Sequence, residues 1–460
     1  MKSFALISTI VLAICATALS QTPGPEVGKF ELNPAAPPSP ALKYQLVFED
    51  SSDLRPGNGA ILYLDSVLLM GPDAKDKATK ALEAYDTRDM ARFNSLADSL
   101  ENPSMLKELD LAGRRENCDW QPPVREEGFG VLLPHLSPIR DIGRILKVRA
   151  LREIGQGKID DALKTLRLGY ELSDNLGKEP FFIDCLVSIN ITTMMNDCLR
   201  EIMNRPDAPN LYWALSTFPN CRTMLSRSMD SEGTQWLIAS GVNLSDLRAG
   251  IDLSPDRWHA FFDYVGTAVS DTFKNASYPS FPDAVRDASP DVIRQAQAQY
   301  AESHHLTPEE AAKVDPIVSI GAFYFHQFDV ACDELHKLRG QPYPILLAKS
   351  GEYQAMVAKL QHDEPRNLLL EALSTIPRLI WKVGSVDRQF AALTAVEAIR
   401  SYAAVNDGKL PARLDDISDT PVPDNPVTGL AFDYGVDGDV ATLSDSQSQT
   451  TLRYTIRIRK

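Results

Sequence analysis

Residues 157–172 read G-K-I-D-D-A-L-K-T-L-R-L-G-Y-E-L, and their spacing decides the fold class. Ile159, Ala162, Leu163, Leu166 and Tyr170 recur at i, i+3, i+4, i+7 and i+11, one face of a helix with 3.6 residues per turn. Gly155 and Gly157 precede the segment, and Gly177 and Pro180 follow it. Outward from there, residues 59–382 read as helix after helix. Ser254-Pro255, Ser289-Pro290 and Thr307-Pro308 each place a hydroxyl at the N-cap and proline at the first helical position. Thr307 with Glu310 completes a capping box.

The texture changes near Ser385. A helix carrying Phe390, Leu393, Val396 and Ile399 is stopped by Asn406-Asp407-Gly408, and a proline-punctuated loop follows. Residues 431–436, 439–443 and 451–459 are strand candidates. Asp437-Gly438 is expected to make a two-residue hairpin turn of type I′. In the last strand Leu452, Tyr454, Ile456 and Ile458 alternate with Arg453, Thr455, Arg457 and Arg459, a pattern suited to a charged sheet edge. Phe432 and Tyr434 are expected to pack on the helix that carries Val396 and Ile399.

The other end reads as an export signal. Lys2 is the only charge before Glu26, residues 4–19 are almost wholly apolar or small, and Ala18 and Ser20 precede a cut before Gln21. Residues 22–40 carry six prolines and read as an extended strap over the surface, with a short strand expected at 44–49. The division is therefore a signal peptide (1–20), a proline-rich extended segment (21–56), a helical domain (57–384) and a small α+β unit (385–460). The fold class is mainly α, helical hairpins packed side by side, with a C-terminal helix plus antiparallel hairpin or sheet.

The 460 residues carry a formal charge of −15 and are 44% hydrophobic. An acidic surface repels phosphate backbones and anionic lipid, which argues against nucleic acid and bare membrane as partners. No segment after the leader is apolar enough to cross a bilayer, so stable membrane insertion is not expected once the signal is removed. Cys118, Cys185, Cys198, Cys221 and Cys332 remain after the leader, an odd number in a compartment that permits disulfides. Cys185 and Cys198 on one helix would lie ~20 Å apart, too far to bond, so buried free thiols are expected.

The 157–172 helix resembles the second half of a tetratricopeptide repeat, with Ala162 and Leu166 as its small and large packing residues, but no second copy recurs at a fixed period. A-L-K-Y-Q-L (41–46), P-G-N-G-A-I-L-Y-L (56–64), G-R-R-E-N-C-D-W (113–120) and P-N-L-Y-W-A-L (209–215) together resemble an uncharacterised family of large secreted bacterial proteins. That resemblance implies class and compartment, periplasm or cell exterior, and no mechanism. D-G-K-L-P-A-R-L-D-D-I (407–417) and P-V-P-D-N-P-V-T-G-L-A-F-D-Y (421–434) resemble the globular end of type II secretion pseudopilins. Asp424-Asn425-Pro426 departs from the expected Asp-Pro pair, and the leader is an ordinary signal in place of a pilin's processing site and assembly helix.

The densest polar cluster is 113–120. Arg114, Arg115 and Asp119 beside Trp120 have the types to bind an anionic or sugar-like ligand through fork hydrogen bonds and ring stacking. The alternative is an Arg–Asp pair packed on a buried tryptophan. Arg140, Arg144, Arg149 and Arg152 read as cover for neighbouring helices, and His326, Asp329, Asp333 and His336 as the solvated side of an amphipathic helix. Cys118 and His135 form a nucleophile pair by residue type alone. G-x-S-x-G, H-E-x-x-H, P-loop and G-x-G-x-x-G signatures are absent. Catalytic, metal and cofactor residues are therefore assigned to none. The expected function is a non-catalytic exported binding protein with a protein partner. The rivals are a hydrolase-type site near Arg115, Asp119 and Trp120, or a role in a secretion or surface assembly.

Overall fold

The structure is a computed structural model that describes residues 26–48, 52–127, 131–231, 242–249, 253–272, 288–361, 367–370, 373, 376–445 and 451–459. The expected signal peptide lies outside the described residues. The helical body opens with α1 (Gly59–Leu69), α2 (Ala74–Asp86), α3 (Met90–Asp98) and α4 (Pro103–Gly113). A single turn, α5 (Val124–Glu127), leads to three long helices, α6 (Leu136–Gly155), α7 (Ile159–Gly177) and α8 (Phe182–Met203). The short loops between these three permit only antiparallel neighbours, so they form successive hairpins. The apolar stripe Ile159, Ala162, Leu163, Leu166 and Tyr170 is buried, as its period requires.

Shorter helices α9 (Tyr212–Ser216), α10 (Arg222–Ser231) and α11 (Leu244–Arg248) precede α12 (Pro255–Thr272), α13 (Pro290–His304), α14 (Pro308–Ala311), α15 (Pro316–Leu338) and α16 (Tyr343–Leu360). The predicted caps explain several of these starts. Ser289 accepts from the Val292 amide at 3.3 Å, and Thr307 and Glu310 close a reciprocal capping box. α17 (Ile376–Val405) is apolar on most sides and buried along its length, the pattern of a helix enclosed by its neighbours. Among the described residues no helix is long and apolar enough to cross a membrane.

The small sheet corrects several expectations. β1 (Glu26–Leu32) comes from the segment read as a surface strap, yet it pairs parallel with the last strand, and Phe30 and Leu32 are buried. A short parallel pair, β2 (Arg55–Asn58) and β3 (Arg115–Asn117), was not anticipated, whereas 44–48 forms no strand. β4 (Asp433–Asp437), β5 (Val440–Asp445) and β6 (Leu452–Ile458) follow, and the larger sheet has the order β1-β6-β5-β4. β6 is thus internal and not an edge. Its alternation is as read, with Leu452, Tyr454, Ile456 and Ile458 buried, but its second side is closed by a strand 420 residues away in sequence, from Glu26↔Leu452 at one end to Leu32↔Ile458 at the other.

The hairpin turn is displaced by one residue. Asp437 pairs with Val440, so the loop is Gly438-Asp439, and only Gly438 has a positive φ, 60°. That is the signature of a II′ turn, which places glycine first. Phe432 is buried and Tyr434 half-buried, both in the continuous core that also holds Val396 and Ile399. The boundary at Ser385 falls inside one continuous helix, α17. The terminal sheet and the helical body therefore share a pillar, and the sheet takes a strand from the chain's start.

Buried polar groups lock this junction. The Arg400 guanidinium donates to the carbonyls of Asn33 (2.7 Å), Pro209 (3.0 Å) and Ala208 (2.6 Å) and faces Glu397 at 3.4 Å. Asn210 donates to the carbonyls of Ala35 and Glu397. Glu26 accepts from Gln389 at 2.7 Å and from the Tyr454 hydroxyl. Past β1 the proline-rich stretch 33–40 forms no strand, and side chains from α17 and the loop after α8 supply partners for its carbonyls instead.

Candidate functional site

The four residues singled out in 113–120 lie on one loop but face different neighbours. P-G-N-G (56–59) explains why. The Asn58 side chain caps α1 by accepting from the Ala60 amide (3.0 Å). The same side chain accepts from the Asp119 amide (2.9 Å) and donates to the Asp119 carbonyl (2.7 Å). A Cβ at Gly59 would stand 2.8 Å from the Ala112 carbonyl, so glycine is needed for α1 to start against the end of α4. The motif is a staple joining α1 to the 115–120 segment.

Arg114 pairs with Asp110 (2.8 Å) and Asp53 (3.2 Å), which hold its pKa above the ordinary guanidinium value. Its carbon Cζ lies 4.2 Å from the Phe48 ring centroid, and that of Arg167 lies 4.3 Å from the same ring. Arg115 turns the other way and donates to the Pro56 carbonyl at 2.8 Å. Asp119 accepts from the amide of Gln121, which sits in the left-handed region at φ 52°. Trp120 is buried, stacked on Tyr63 (5.8 Å between centroids, 12° between planes) and on His135 (4.6 Å, 11°). The cluster therefore does not converge on one cleft. Arg114 is spent on carboxylates, Arg115 on a carbonyl, Asp119 on its own turn, and Trp120 on two rings.

Around Trp120 the buried groups are richer than the sequence suggested. Glu179 accepts the Trp120 backbone N–H at 3.2 Å, and Asn175 donates to the Tyr63 hydroxyl at 3.0 Å. Trp120 Nε1 and His135 Nε2 are buried without a hydrogen-bond partner among the described residues. Burial pushes the Cys118 thiol up to about 12 and pulls His135 down to about 4. At neutral pH the pair is a thiol and a neutral imidazole, and neither contributes to the other's shift. A nucleophilic cysteine needs its thiolate favoured, and here it is disfavoured.

Glu171, which sequence reasoning missed, is the most perturbed carboxyl with a defined partner here. It accepts the backbone N–H of Phe48, and burial raises it to about 8, with Asp174 adding to the rise and Arg167 and Lys178 opposing it. No sequence signal places it beside Phe48, since 123 residues separate them. The arginines of α6 act as cover. Arg149 pairs with Glu101 (2.6 Å) and Glu153 (2.9 Å), Arg152 with Glu101 (2.7 Å) and Asp98, and Arg144 with Asp141. A shallow cleft opens beside them, lined by Leu100, Glu101, Met105, Ile145 and Arg149 and by none of the four candidates.

Asp329 is held by Arg248 at 2.6 Å and Asp333 by Lys337 at 2.7 Å, the solvated face expected of α15. Among the described residues no group of three or more His, Cys, Asp and Glu is placed to hold a metal ion. The five described cysteines are free thiols, four of them buried. On α1, in contrast, apolar side chains face solvent. Ile61, Leu64, Leu68 and Leu69 are exposed, Leu68 at 83%, while Tyr63 and Ser66 on the other side are buried. Comparison with known protein families, curated proteins and solved structures finds no match for this chain.

Proposed function

We propose that this chain is an exported, non-catalytic protein that acts by binding another protein, and that the open face of α1 is its contact surface. The observation that carries the reading is the exposed row Ile61, Leu64, Leu68 and Leu69, at i, i+3, i+7 and i+8. Isolated exposed leucines need no explanation, but an apolar row on one helix face, interrupted by only Asp65, marks an interaction site. The spacing suits an amphipathic helix of a partner laid alongside, with its own apolar stripe against this one. The chemistry-bearing residues nearby support the same reading from the other direction, because their charges and hydrogen bonds are committed within the fold. Export rests on the apolar leader and the Ala18-x-Ser20 pattern.

The test is photo-cross-linking in the native compartment, with the reactive group placed at Leu68 and, as a control, at exposed Arg294. A single partner recovered from the Leu68 position and not from Arg294 supports the reading. No adduct from either, or equal adducts from both, overturns it. Amino-terminal sequencing of the same material is expected to begin at or near Gln21, and recovery of Met1 overturns export with cleavage.

A further inference from the structure

The two edges of the four-stranded sheet end differently. β1 is one edge, and its outward backbone groups are taken. The Asn204 side chain accepts from the Glu31 amide at 2.9 Å and donates to the Lys29 carbonyl at 3.4 Å, as a neighbouring strand would. β4 is the other edge. Its two-residue turn makes Asp437 and Val440 a pair that exchanges both hydrogen bonds. Asp433, Gly435 and Asp437 therefore bond to β5, while Tyr434 and Val436 point their amides and carbonyls away from it. Among the described residues no backbone group meets those four. Gly435, Val436 and Asp437 are exposed, and a Cβ added at Gly435 would meet nothing within 4 Å.

Alternation fixes what each side of an added strand would touch. Tyr434 and Val436 lie opposite Leu443 and Ala441, which are buried, so they belong to the inner side of the sheet. Val436 is nonetheless 41% exposed, apolar surface at the margin of the core. Asp437 lies on the outer side opposite Val440, is exposed, and makes no ion pair among the described residues. Asp433 has a partner of its own within the chain and is not needed. Around this edge, residues 405–445 carry nine aspartates against Lys409 and Arg413. A second copy fits poorly. Antiparallel pairing of two β4 strands about Gly435 sets Asp437 of each opposite Asp433 of the other, like charges directly across. Charge complementarity points to a basic segment instead.

We infer that β4 takes an added strand from another protein, an extended segment with apolar residues facing Tyr434 and Val436 and a lysine or arginine facing Asp437. An added strand lies ~4.8 Å away, and side chains directly opposite stand ~5 Å apart at Cβ, so a basic residue reaches the Asp437 carboxylate. Backbone bonds supply the attachment and the alternating side chains the selectivity. The aspartates along the edge discourage self-association, as edge charges do, and leave it open to a segment of opposite sign. The inference is independent of the α1 reading.

The experiment is fluorescence anisotropy of the full chain with a dye-bearing synthetic peptide, G-K-V-T-V-R-G, blocked at both ends. The controls are the acidic G-E-V-T-V-E-G and the basic peptide N-methylated at each residue between the glycines, which keeps its charge and loses its strand donors. The basic peptide is expected to bind, and each control to bind roughly tenfold more weakly or not at all. Val436→Pro removes one outward N–H and leaves the ladder to β5 intact, and is expected to weaken binding roughly tenfold with the thermal midpoint measured alongside. Asp437→Lys is expected to bind the acidic peptide more tightly than the wild type does, a gain that a misfolded variant does not give. Four results overturn the inference: no binding of the basic peptide, equal binding of the N-methylated one, undiminished binding by folded Val436→Pro, or no gain in Asp437→Lys. So does binding abolished by Leu68→Lys and indifferent to Val436→Pro, which would belong to α1. A wild-type dimer lost in Val436→Pro overturns it as well, because the occupant would then be a second copy.

Discussion

Arg400 and Arg114 are both arginines paired with acids one helical turn away, and they do different work. Arg400 is buried on α17, with donors on three carbonyls from two distant segments and a buried Glu397 beside it. Arg114 is part-exposed, at 28% for its side chain, and holds Asp110 and Asp53 at the rim. The first ties the chain's start to its end; the second tidies a surface loop. Only the second stood out in the sequence, because its partners crowd into G-R-R-E-N-C-D-W. Density of polar residues along the chain reports local turns, and polar groups that fix a fold converge from afar.

The strongest test of that contrast is the pair Arg400→Met and Arg114→Met. Removing Arg400 leaves Glu397 buried without its cation and three carbonyls without a donor, a loss of ~3–5 kcal/mol. The Arg114 pairs are solvent-screened, and its replacement is expected to cost ~1 kcal/mol or less. Denaturant midpoints of the two variants decide the matter. Equal losses break the distinction.

A second test uses pH. Glu171 titrates near 4.5 when unfolded and at about 8 when folded, so the native state holds its proton more tightly. The stability this contributes is fully present below about pH 4.5 and is lost as pH rises through about 8. Glu171→Gln keeps an acceptor for the Phe48 amide and carries no charge. Its stability relative to wild type is expected to improve by roughly 3 kcal/mol between pH 5 and 8.5, at about 1.4 kcal/mol per unit with a discount for residual screening. The other buried acids with raised values, among them Glu153, Glu179 and Asp387, are common to both proteins and cancel in the difference. A parallel pair of pH–stability curves shows that Glu171 is ionised in the native state.

Helices were legible wherever one face repeats at 3.6 residues, as at Ile159 to Tyr170, and wherever a capping residue precedes proline, as at Ser289 and Thr307. The alternation of Leu452 to Ile458 fixed which side of β6 is buried. It did not show what lies on either side of that strand. β1 pairs with it only through chain closure across the whole fold, and its prolines argued locally against packing. The turn moved by one residue because Asp437-Gly438 and Gly438-Asp439 both carry glycine, and strand pairing chose between them. At the candidate site the residue types were legible and their directions were not. Neighbours in sequence on an irregular loop point apart, and Asn58, Tyr63, Glu171 and Glu179 arrive from other elements.

Trp120 sharpens the comparison from within the buried set. Its indole N–H has no partner among the described residues, unlike every donor on Arg400 that carries a contact above. Trp120→Ala removes the ring stacked on Tyr63 and His135 and is expected to cost ~3–5 kcal/mol. Trp120→Phe keeps an aromatic ring there and deletes the unpaired donor, so lost volume and a relieved polar group offset, and the change stays within about 1 kcal/mol. Thermal unfolding of both variants checks this. A Phe variant as unstable as the Ala variant means that the N–H has a partner that matters.

The smallest expected effect on stability is the one with the largest expected effect on function. Leu68 projects from α1 at 83% exposure, so the fold gains little from it. Leu68→Lys is therefore expected to move stability by no more than about 0.5 kcal/mol, the range of surface changes away from special features. On the inner side of the same helix, Tyr63 is fully buried and receives a hydrogen bond from Asn175, and Tyr63→Ala is expected to cost several kcal/mol, about as much as other large core truncations. One helix thus has a side that the fold uses and a side that it leaves open. If the open side serves a partner, Leu68→Lys abolishes the cross-linked adduct while the melting curve stays in place. If Leu68→Lys instead lowers the thermal midpoint as Tyr63→Ala does, the leucine row is packed within the chain, and the exposed face of α1 is not a binding surface.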